Sequence, residues 1–180
     1  LTGEIAVFLV TEEIYPTVSD KREHVCEIKD FEPISYKKFI IGYDNLYNEY
    51  GAGAPEIDEH FSGEITYKAS YELPKNPCTD DKYVIRLEGF SLTASVEIGG
   101  EKFTFGLSPM ERMIDGAPLD GRGELTVTVA NTSVGEIKRT EKLMEGIPRA
   151  ERGPYLDRIK VFEEKVPALK VGKIIIEKIV

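Results

Sequence analysis

The chain of 180 residues has no tryptophan, only two cysteines and only two histidines. Cys26 and Cys78 belong to no Cys-x-x-Cys pair, and together with His24 and His60 they give no ligand spacing for zinc. These absences argue against a zinc site or a redox motif. We expect two free, partly buried thiols, with a disulfide between them as the alternative.

Basic residues and long apolar runs are also scarce. Lys and Arg number 23 against 32 Asp and Glu, so the formal net charge is −9. A charge of this sign disfavours nucleic acid and anionic membranes as partners. No apolar run approaches the roughly 18–20 residues that a membrane span needs. We therefore expect no nucleic-acid partner and no membrane insertion.

What the sequence does contain is a repeated alternation of apolar and polar residues. Ten short segments are rich in Val, Ile, Thr, Tyr and Phe and are bounded by Gly, Pro, Asn or Asp, which is typical of half-buried antiparallel strands. The alternation is clearest in 64–73 and 124–130. The predicted strands are 4–10, 24–28, 36–41, 64–73, 83–88, 94–98, 102–105, 124–130, 158–163 and 173–180.

Helical signals are few. Ser133 followed three residues later by Glu136 has the pattern of a capping box, and Gly146 with Pro148 supplies an end signal. The helix between them would turn Ile137, Thr140 and Met144 inward. A second turn of helix is predicted over 44–50.

About ten strands with little helix predict an all-β fold, a jelly-roll β-sandwich with one or two short helices in its loops. Gly99 and Gly100 supply a tight hairpin between two strands. No internal repeat or linker divides the chain, so we expect one domain over 1–180, with the terminal segments 3–10 and 173–180 as strands of the same sandwich.

Six segments occur along the chain in an order that is typical of one family. They are FSGEITY at 61–67, VIRLEG at 84–89, ASVEIGG at 94–100, MID at 113–115, LDGRGELTVTVAN at 119–131 and GPYLDRIKV at 153–161. This series resembles the sugar-binding jelly-roll domain of family 2-type glycoside hydrolases, within the galactose-binding-like superfamily. The resemblance covers about residues 61–163.

The resemblance implies a non-catalytic piece of a larger enzyme, because that family carries its catalytic carboxylates in a separate (β/α)8 barrel. It implies that the chain binds glycan or braces the catalytic domain of its own parent protein, outside the cytoplasm. The chain begins at Leu1, and we expect a domain excised from a longer protein.

Two other functions stay open. A stand-alone jelly-roll polysaccharide hydrolase or lyase would place two carboxylates on a concave sheet, drawn from the strand residues Glu64, Glu72, Glu88 and Glu97. A protein-interaction module at the cell surface is the other alternative.

Glycan binding uses aromatic faces flanked by carboxylates, amides and arginines. The densest set of such side chains is Tyr43, Asp44, Tyr47 and Tyr50, although Tyr43, Leu46 and Tyr50 have the spacing that would instead pin a short helix to the sandwich. Two more candidates are Arg112, near Asp115 and Asp120, and Arg152, near Arg149 and Tyr155; local ion pairs are the alternative for both.

No catalytic residue and no cofactor is expected in this chain. A structural calcium ion is the metal that this fold could hold through carboxylate and carbonyl oxygens in an irregular loop. The sequence offers no DxDxDG loop. The conceivable ligands are Asp80, Asp81, Asp115, Asp120 and Asp157.

Overall fold

Ten strands and one helix make up the described part of the chain. A computed structural model describes residues 21–42, 45–58, 60–73, 78, 80–90, 93–106, 110–116, 119, 121–148, 151 and 169–180. The helix α1 is Val134–Met144, between β9 and β10. The strands are β1 (Arg22–Ile28), β2 (Glu32–Ile41), β3 (Leu46–Ala52), β4 (Gly63–Glu72), β5 (Lys82–Glu88), β6 (Thr93–Ile98), β7 (Glu101–Phe105), β8 (Glu111–Asp115), β9 (Arg122–Ala130) and β10 (Lys173–Ile179).

The strands form two antiparallel sheets. The four-stranded sheet has the order β1-β10-β5-β8, and the six-stranded sheet has the order β3-β2-β4-β9-β6-β7. From β4 onward the chain passes repeatedly from one sheet to the other, so strands that follow one another in sequence often lie in different layers. This connectivity is that of a jelly roll and confirms the predicted all-β sandwich.

The core lies between the inner faces of the two sheets and follows the predicted alternation. In β4 the residues Ile65, Ala69 and Tyr71 are buried, while their polar neighbours are more exposed. β9 repeats this pattern one strand away, because its register sets Val129 opposite Ile65. The four-stranded sheet contributes Ile85, Leu87, Ile174 and Ile176 to the same core cluster.

The hairpin between β6 and β7 is the predicted one. Gly99 and Gly100 have φ values of 59° and 81°, which are the two positive angles that a type I′ turn requires. The register closes at Ile98 opposite Glu101, so the two glycines are the whole connection. The prediction is confirmed.

The helix is confirmed, but its predicted cap is wrong. Ser133 makes no side-chain cap bond. Instead, the backbone N–H of Glu136 donates to Ser62 Oγ at 2.8 Å, and the Glu136 carboxylate accepts from the N–H of Ile41 at 2.9 Å. A tertiary contact therefore supplies what a local capping box would supply. On the inward side Thr140 and Met144 are buried and Ile137 is partly buried.

Two further elements differ from the sequence-based prediction. The segment predicted as a helix over 44–50 instead contributes to strand β3, which pairs with β2 from Leu46 opposite Ile41 to Ala52 opposite Ser35. β8 lies between the predicted strands 102–105 and 124–130, where no strand was predicted, and it pairs with β5. Both strands are edges of their sheets, so non-local pairing overrides weak local signals there.

The predicted terminal strands have different outcomes. The segment 173–180 is confirmed as a strand, because β10 pairs with β1 on one side and β5 on the other. The predicted strands 4–10 and 158–163 lie outside the described residues.

Both cysteines are free thiols, as expected. Cys26 is partly buried in β1, and burial raises the pKa of its thiol to about 11. Cys78 is exposed. With so high a pKa, the Cys26 thiol stays protonated and unreactive at neutral pH.

Candidate functional site

The predicted binding residues fall on different parts of the fold. Tyr43, Asp44 and Arg152 lie outside the described residues. Tyr47 and Tyr50 are both in the edge strand β3, where they are 47% and 70% exposed. Their odd separation places them on opposite faces of the strand, so the structure does not bring these two rings together on one surface.

Arg112 occupies a third position. It lies in β8, the edge of the four-stranded sheet, and its Nη2 donates to the backbone oxygen of Thr104 in β7 at 3.3 Å. β7 is the edge of the six-stranded sheet opposite to β3. Arg112 therefore links the two sheets at one side of the sandwich and is separated from Tyr50 by the width of the six-stranded sheet.

A cleft on the outer face of the six-stranded sheet lies beside Tyr50. We call it the upper cleft; it has a volume of about 200 Å³. Tyr50 is the cross-strand partner of Lys37, so its ring stands at the border of this cleft. The lining residues are Lys37, Phe39, Asn48, Gly63, Glu64, Ala130, Asn131, Thr132 and Ser133.

The polar groups of the upper cleft are held by contacts within the fold. Lys37 Nζ lies 3.1 Å from Glu64 Oε1, and this hydrogen bond raises the pKa of the Lys37 ammonium. Asn131 Oδ1 accepts from the N–H of Gly63, and Asn131 Nδ2 donates to the oxygen of Phe61, both at 2.8 Å. Asn131 thus ties the end of β9 to the start of β4, while Lys37 and Glu64, both partly exposed, retain capacity for a ligand.

A larger cleft lies at the other end of the same face. We call it the lower cleft; its volume is about 590 Å³. Lys68 Nζ lies 2.6 Å from Glu124 Oε1 across β4 and β9. Phe31 packs edge-on against Phe90, with ring centroids 6.0 Å apart. The lining residues are Lys29, Asp30, Phe31, Glu32, Lys68, Ala69, Ser70 and Glu124.

Between the clefts the outer face carries a row of hydroxyl groups. The hydroxyls of Thr66 in β4 and Thr128 in β9 are 2.9 Å apart. The registers place Ser35, Ser95 and Thr104 on neighbouring strands in the same row. The two clefts and this row form one continuous polar surface.

The four strand carboxylates considered for catalysis do not form an acid pair. Glu64 and Glu72 lie eight residues apart on β4, which corresponds to about 26 Å, whereas glycosidase pairs lie about 5–10 Å apart. Glu88 belongs to the other sheet and contacts Arg86 at 2.9 Å. Glu97 of β6 pairs with Thr126 of β9, which in turn pairs with Lys68 of β4. Lys68 is four residues from Glu64 along β4, so the backbones at Glu97 and Glu64 are at least about 13 Å apart.

Two of the conceivable calcium ligands, Asp81 and Asp115, are held in ion pairs, and Asp80 is exposed. Asp81 contacts Lys178 at 2.7 Å and accepts from the N–H of Cys78, and Asp115 contacts Lys82. Asp120 and Asp157 lie outside the described residues. Across the described ranges, no group of three His, Cys, Asp or Glu side chains is arranged to hold a metal ion.

The cleft residues Lys37, Lys68 and Glu124 were missed by sequence reasoning. The polar residues that alternate with apolar ones in β4 and β9 indicate an exposed face of the sheet. They do not indicate which of these residues contact one another across neighbouring strands. The ion pairs Lys37–Glu64 and Lys68–Glu124 join residues 27 and 56 positions apart, and only the strand register brings them together.

Comparison with known proteins gives a likeness in fold. No protein-family model matches the chain, and no curated protein matches it in sequence. No helix in the described ranges has the length and apolar character needed to cross a membrane.

The structure of a rhamnosidase from Novosphingobium sp. PP1Y matches with a TM-score of 0.55 and 15% sequence identity. The match covers 93% of this chain and 16% of the rhamnosidase chain. At this identity the likeness concerns the fold. The chain is thus similar in fold to a small part of a much longer rhamnosidase chain.

Proposed function

We propose that this chain is a non-catalytic accessory domain of a glycoside hydrolase and that it binds glycan at the upper cleft. The observation that carries the proposal is the position of Tyr50. Its ring is 70% exposed and is the cross-strand neighbour of the Lys37–Glu64 ion pair. An exposed aromatic ring beside charged and amide groups is the arrangement that binds the C–H face and the hydroxyls of a sugar.

Three further observations support the proposal. The sandwich matches part of a chain described as a rhamnosidase, and the match spans only 16% of that chain, which suits a domain whose parent carries its chemistry elsewhere. The segment order over 61–163 resembles sugar-binding domains of glycoside hydrolases. The four strand carboxylates lack the spacing of a glycosidase pair. The proposal includes a location outside the cytoplasm, where polysaccharides are degraded.

The test is glycan binding by the chain and by two tyrosine variants. A glycan array identifies a ligand, and isothermal titration calorimetry then gives its Kd for Tyr50→Ala and Tyr47→Ala. We expect Tyr50→Ala to weaken binding about tenfold, equivalent to about 1.4 kcal/mol. Tyr47→Ala is the matched control, because it removes an exposed ring from the opposite face of the same strand.

Three results would contradict the proposal. If no glycan binds, or if both variants weaken binding equally, the upper cleft is not a glycan site. If the isolated chain itself cleaves glycans, the non-catalytic assignment is wrong and the stand-alone hydrolase or lyase becomes the better explanation.

Bracing of a catalytic domain is the second candidate, and the exposed edge strand β3 favours it. Leu46 is 51% exposed on this strand, next to Tyr47, and an exposed apolar edge strand is suited to contact with another protein surface. In the full-length parent protein, Leu46→Lys is expected to lower the melting temperature of the adjoining domain. An unchanged melting temperature would argue against bracing by this edge.

A further inference from the structure

We infer that the outer face of the six-stranded sheet binds a linear, neutral glycan that runs along β4 and β9 from the upper cleft to the lower cleft. The inference rests on the proposed function and adds the length and charge class of the ligand. Its starting point is that both clefts lie on one face of the same two strands. Glu64 opposite Ala130 marks the upper end, and Ser70 opposite Glu124 marks the lower end.

The distance between the clefts sets the length of the ligand. Glu64 and Ser70 are six residues apart on β4, which corresponds to about 20 Å along the strand. A single sugar ring in one cleft cannot reach the other, whereas a chain of several sugar units can contact both. The combined cleft volume, about 200 Å³ and 590 Å³, also exceeds what a monosaccharide needs.

The surface between the clefts is low and polar. The outward side chains of β4 and β9 there are Thr66, Thr126 and Thr128, which are short and partly exposed, and Lys68, which pairs with Glu124 across the two strands. Each hydroxyl can donate one hydrogen bond and accept others, so the Thr66–Thr128 pair leaves acceptor capacity for a ligand hydroxyl. Lys68 is the one long side chain of β4 and β9 between Glu64 and Ser70, and its ion pair with Glu124 marks where the path enters the lower cleft.

The charges of the clefts select the ligand class. In the upper cleft the Lys37 ammonium is neutralised by Glu64, and in the lower cleft the Lys68 ammonium is neutralised by Glu124. The lower cleft has two lysines against three carboxylates among its lining residues. A polyanionic glycan would meet excess negative charge there, in a chain whose net charge is −9. The surface is therefore suited to hydroxyl-rich, uncharged sugars.

The experiment is calorimetric titration of the chain with neutral gluco-, manno- and xylo-oligosaccharides, each from the disaccharide to the hexasaccharide. Occupation of both clefts by one ligand is expected to make the hexasaccharide bind about 100-fold tighter than the disaccharide. Oligogalacturonates of the same lengths are the anionic comparison and are expected to bind more weakly than the neutral chains.

A double variant tests the path between the clefts. Thr66→Val with Thr128→Val keeps the branched shape and removes both hydroxyls, and we expect it to weaken hexasaccharide binding about tenfold while disaccharide binding is unchanged. Thr104→Val is the matched control, because it removes a hydroxyl from the same row at the far edge strand β7.

The outcomes separate this inference from the proposed function. A hexasaccharide Kd equal to that of the disaccharide, or an unchanged Kd in the double variant, would overturn the extended groove and leave the glycan site of the upper cleft standing. Tighter binding of the galacturonates would overturn the neutral class. If no oligosaccharide of any length binds, the groove fails, and the proposed function fails with it when the glycan array also identifies no ligand.

Discussion

A single buried carboxylate, that of Glu136, joins the helix to the sheet. The N–H of Phe39 donates to the oxygen of Ser62 at 2.8 Å, and two residues later the N–H of Ile41 donates to Glu136 Oε1. The Glu136 side chain thus supplies the acceptor that a neighbouring strand would supply, next to the point where β4 begins. Glu136 is fully buried, and Arg139 Nε donates to its Oε2 at 2.7 Å.

Removal of this carboxylate should destabilise the fold. Glu136→Ala leaves the Ile41 N–H without its acceptor and Arg139 without its counter-ion. Breaking a buried ion pair from one side costs about 3–5 kcal/mol, and the partial exposure of Arg139 lowers the expected loss to about 2–3 kcal/mol. Urea unfolding measures it. Glu141→Ala, an exposed position of the same helix, is the control; equal losses in both variants would contradict this role of Glu136.

At the scale of elements, some strands are determined by their local sequence pattern and others by pairing with a distant strand. β4, β9 and the β6–β7 hairpin follow local patterns, because their alternation and their turn residues select one conformation without help. β3 does not. The spacing of Leu46 and Tyr50 suits a helix as well as one face of a strand, and pairing with β2 decides between them.

The hairpin between β6 and β7 gives a prediction for its two glycines. Gly99→Asn should leave stability unchanged or raise it slightly, because Asn tolerates positive φ and restricts the unfolded chain. Gly100→Ala should cost about 1–2 kcal/mol, because an alanine side chain strains this left-handed backbone. Thermal unfolding distinguishes them. An alanine at position 100 that cost nothing would show that the turn differs from type I′.

At the scale of the whole molecule, the outer faces of the two sheets are used differently. The four-stranded sheet carries ion pairs that neutralise one another: Arg22 contacts Glu111 and Glu177 at 3.2 Å and 3.4 Å, and Arg86 contacts Glu177 at 3.3 Å. The carboxylate side chains of Glu111 and Glu177 are only 16% and 15% exposed. The six-stranded sheet instead carries the clefts and the hydroxyl row, and we assign the proposed ligand to this face.

The charged contacts of the four-stranded sheet and its edges predict how stability depends on pH. Hydrogen bonding to Lys29 lowers the pKa of Glu27, and hydrogen bonding to Lys178 lowers that of Asp81. Their contribution is complete above the ordinary carboxyl values and is lost as the pH falls through the lowered values. Conversely, Glu88 raises the pKa of Lys173 and Asp81 that of Lys178, so their contribution is lost as the pH rises beyond the ordinary lysine value.

Chemical unfolding at a series of pH values should therefore give a plateau between about pH 5 and pH 10, with a decline on each side. Lys178→Gln should reduce both declines. It removes the raised pKa of Lys178 on the alkaline side, and it removes the hydrogen bond that lowers the pKa of Asp81 on the acid side. Lys102→Gln, at an exposed position of β7, should leave the profile unchanged. A profile of Lys178→Gln that matches the parent would contradict a contribution from this ion pair.

The sequence by itself determined the all-β class, most of the central strands, the Gly99–Gly100 turn and the helix after Ser133, because periodicity and turn chemistry act over a few residues. It pointed to Tyr50 as a binding residue, a prediction that stays untested. Only the tertiary structure decided that β3 is a strand, that Glu136 turns into the fold, and that Lys37 meets Glu64. The physical reason is that these depend on strand register, which joins residues far apart in the chain and leaves no signal in either segment alone.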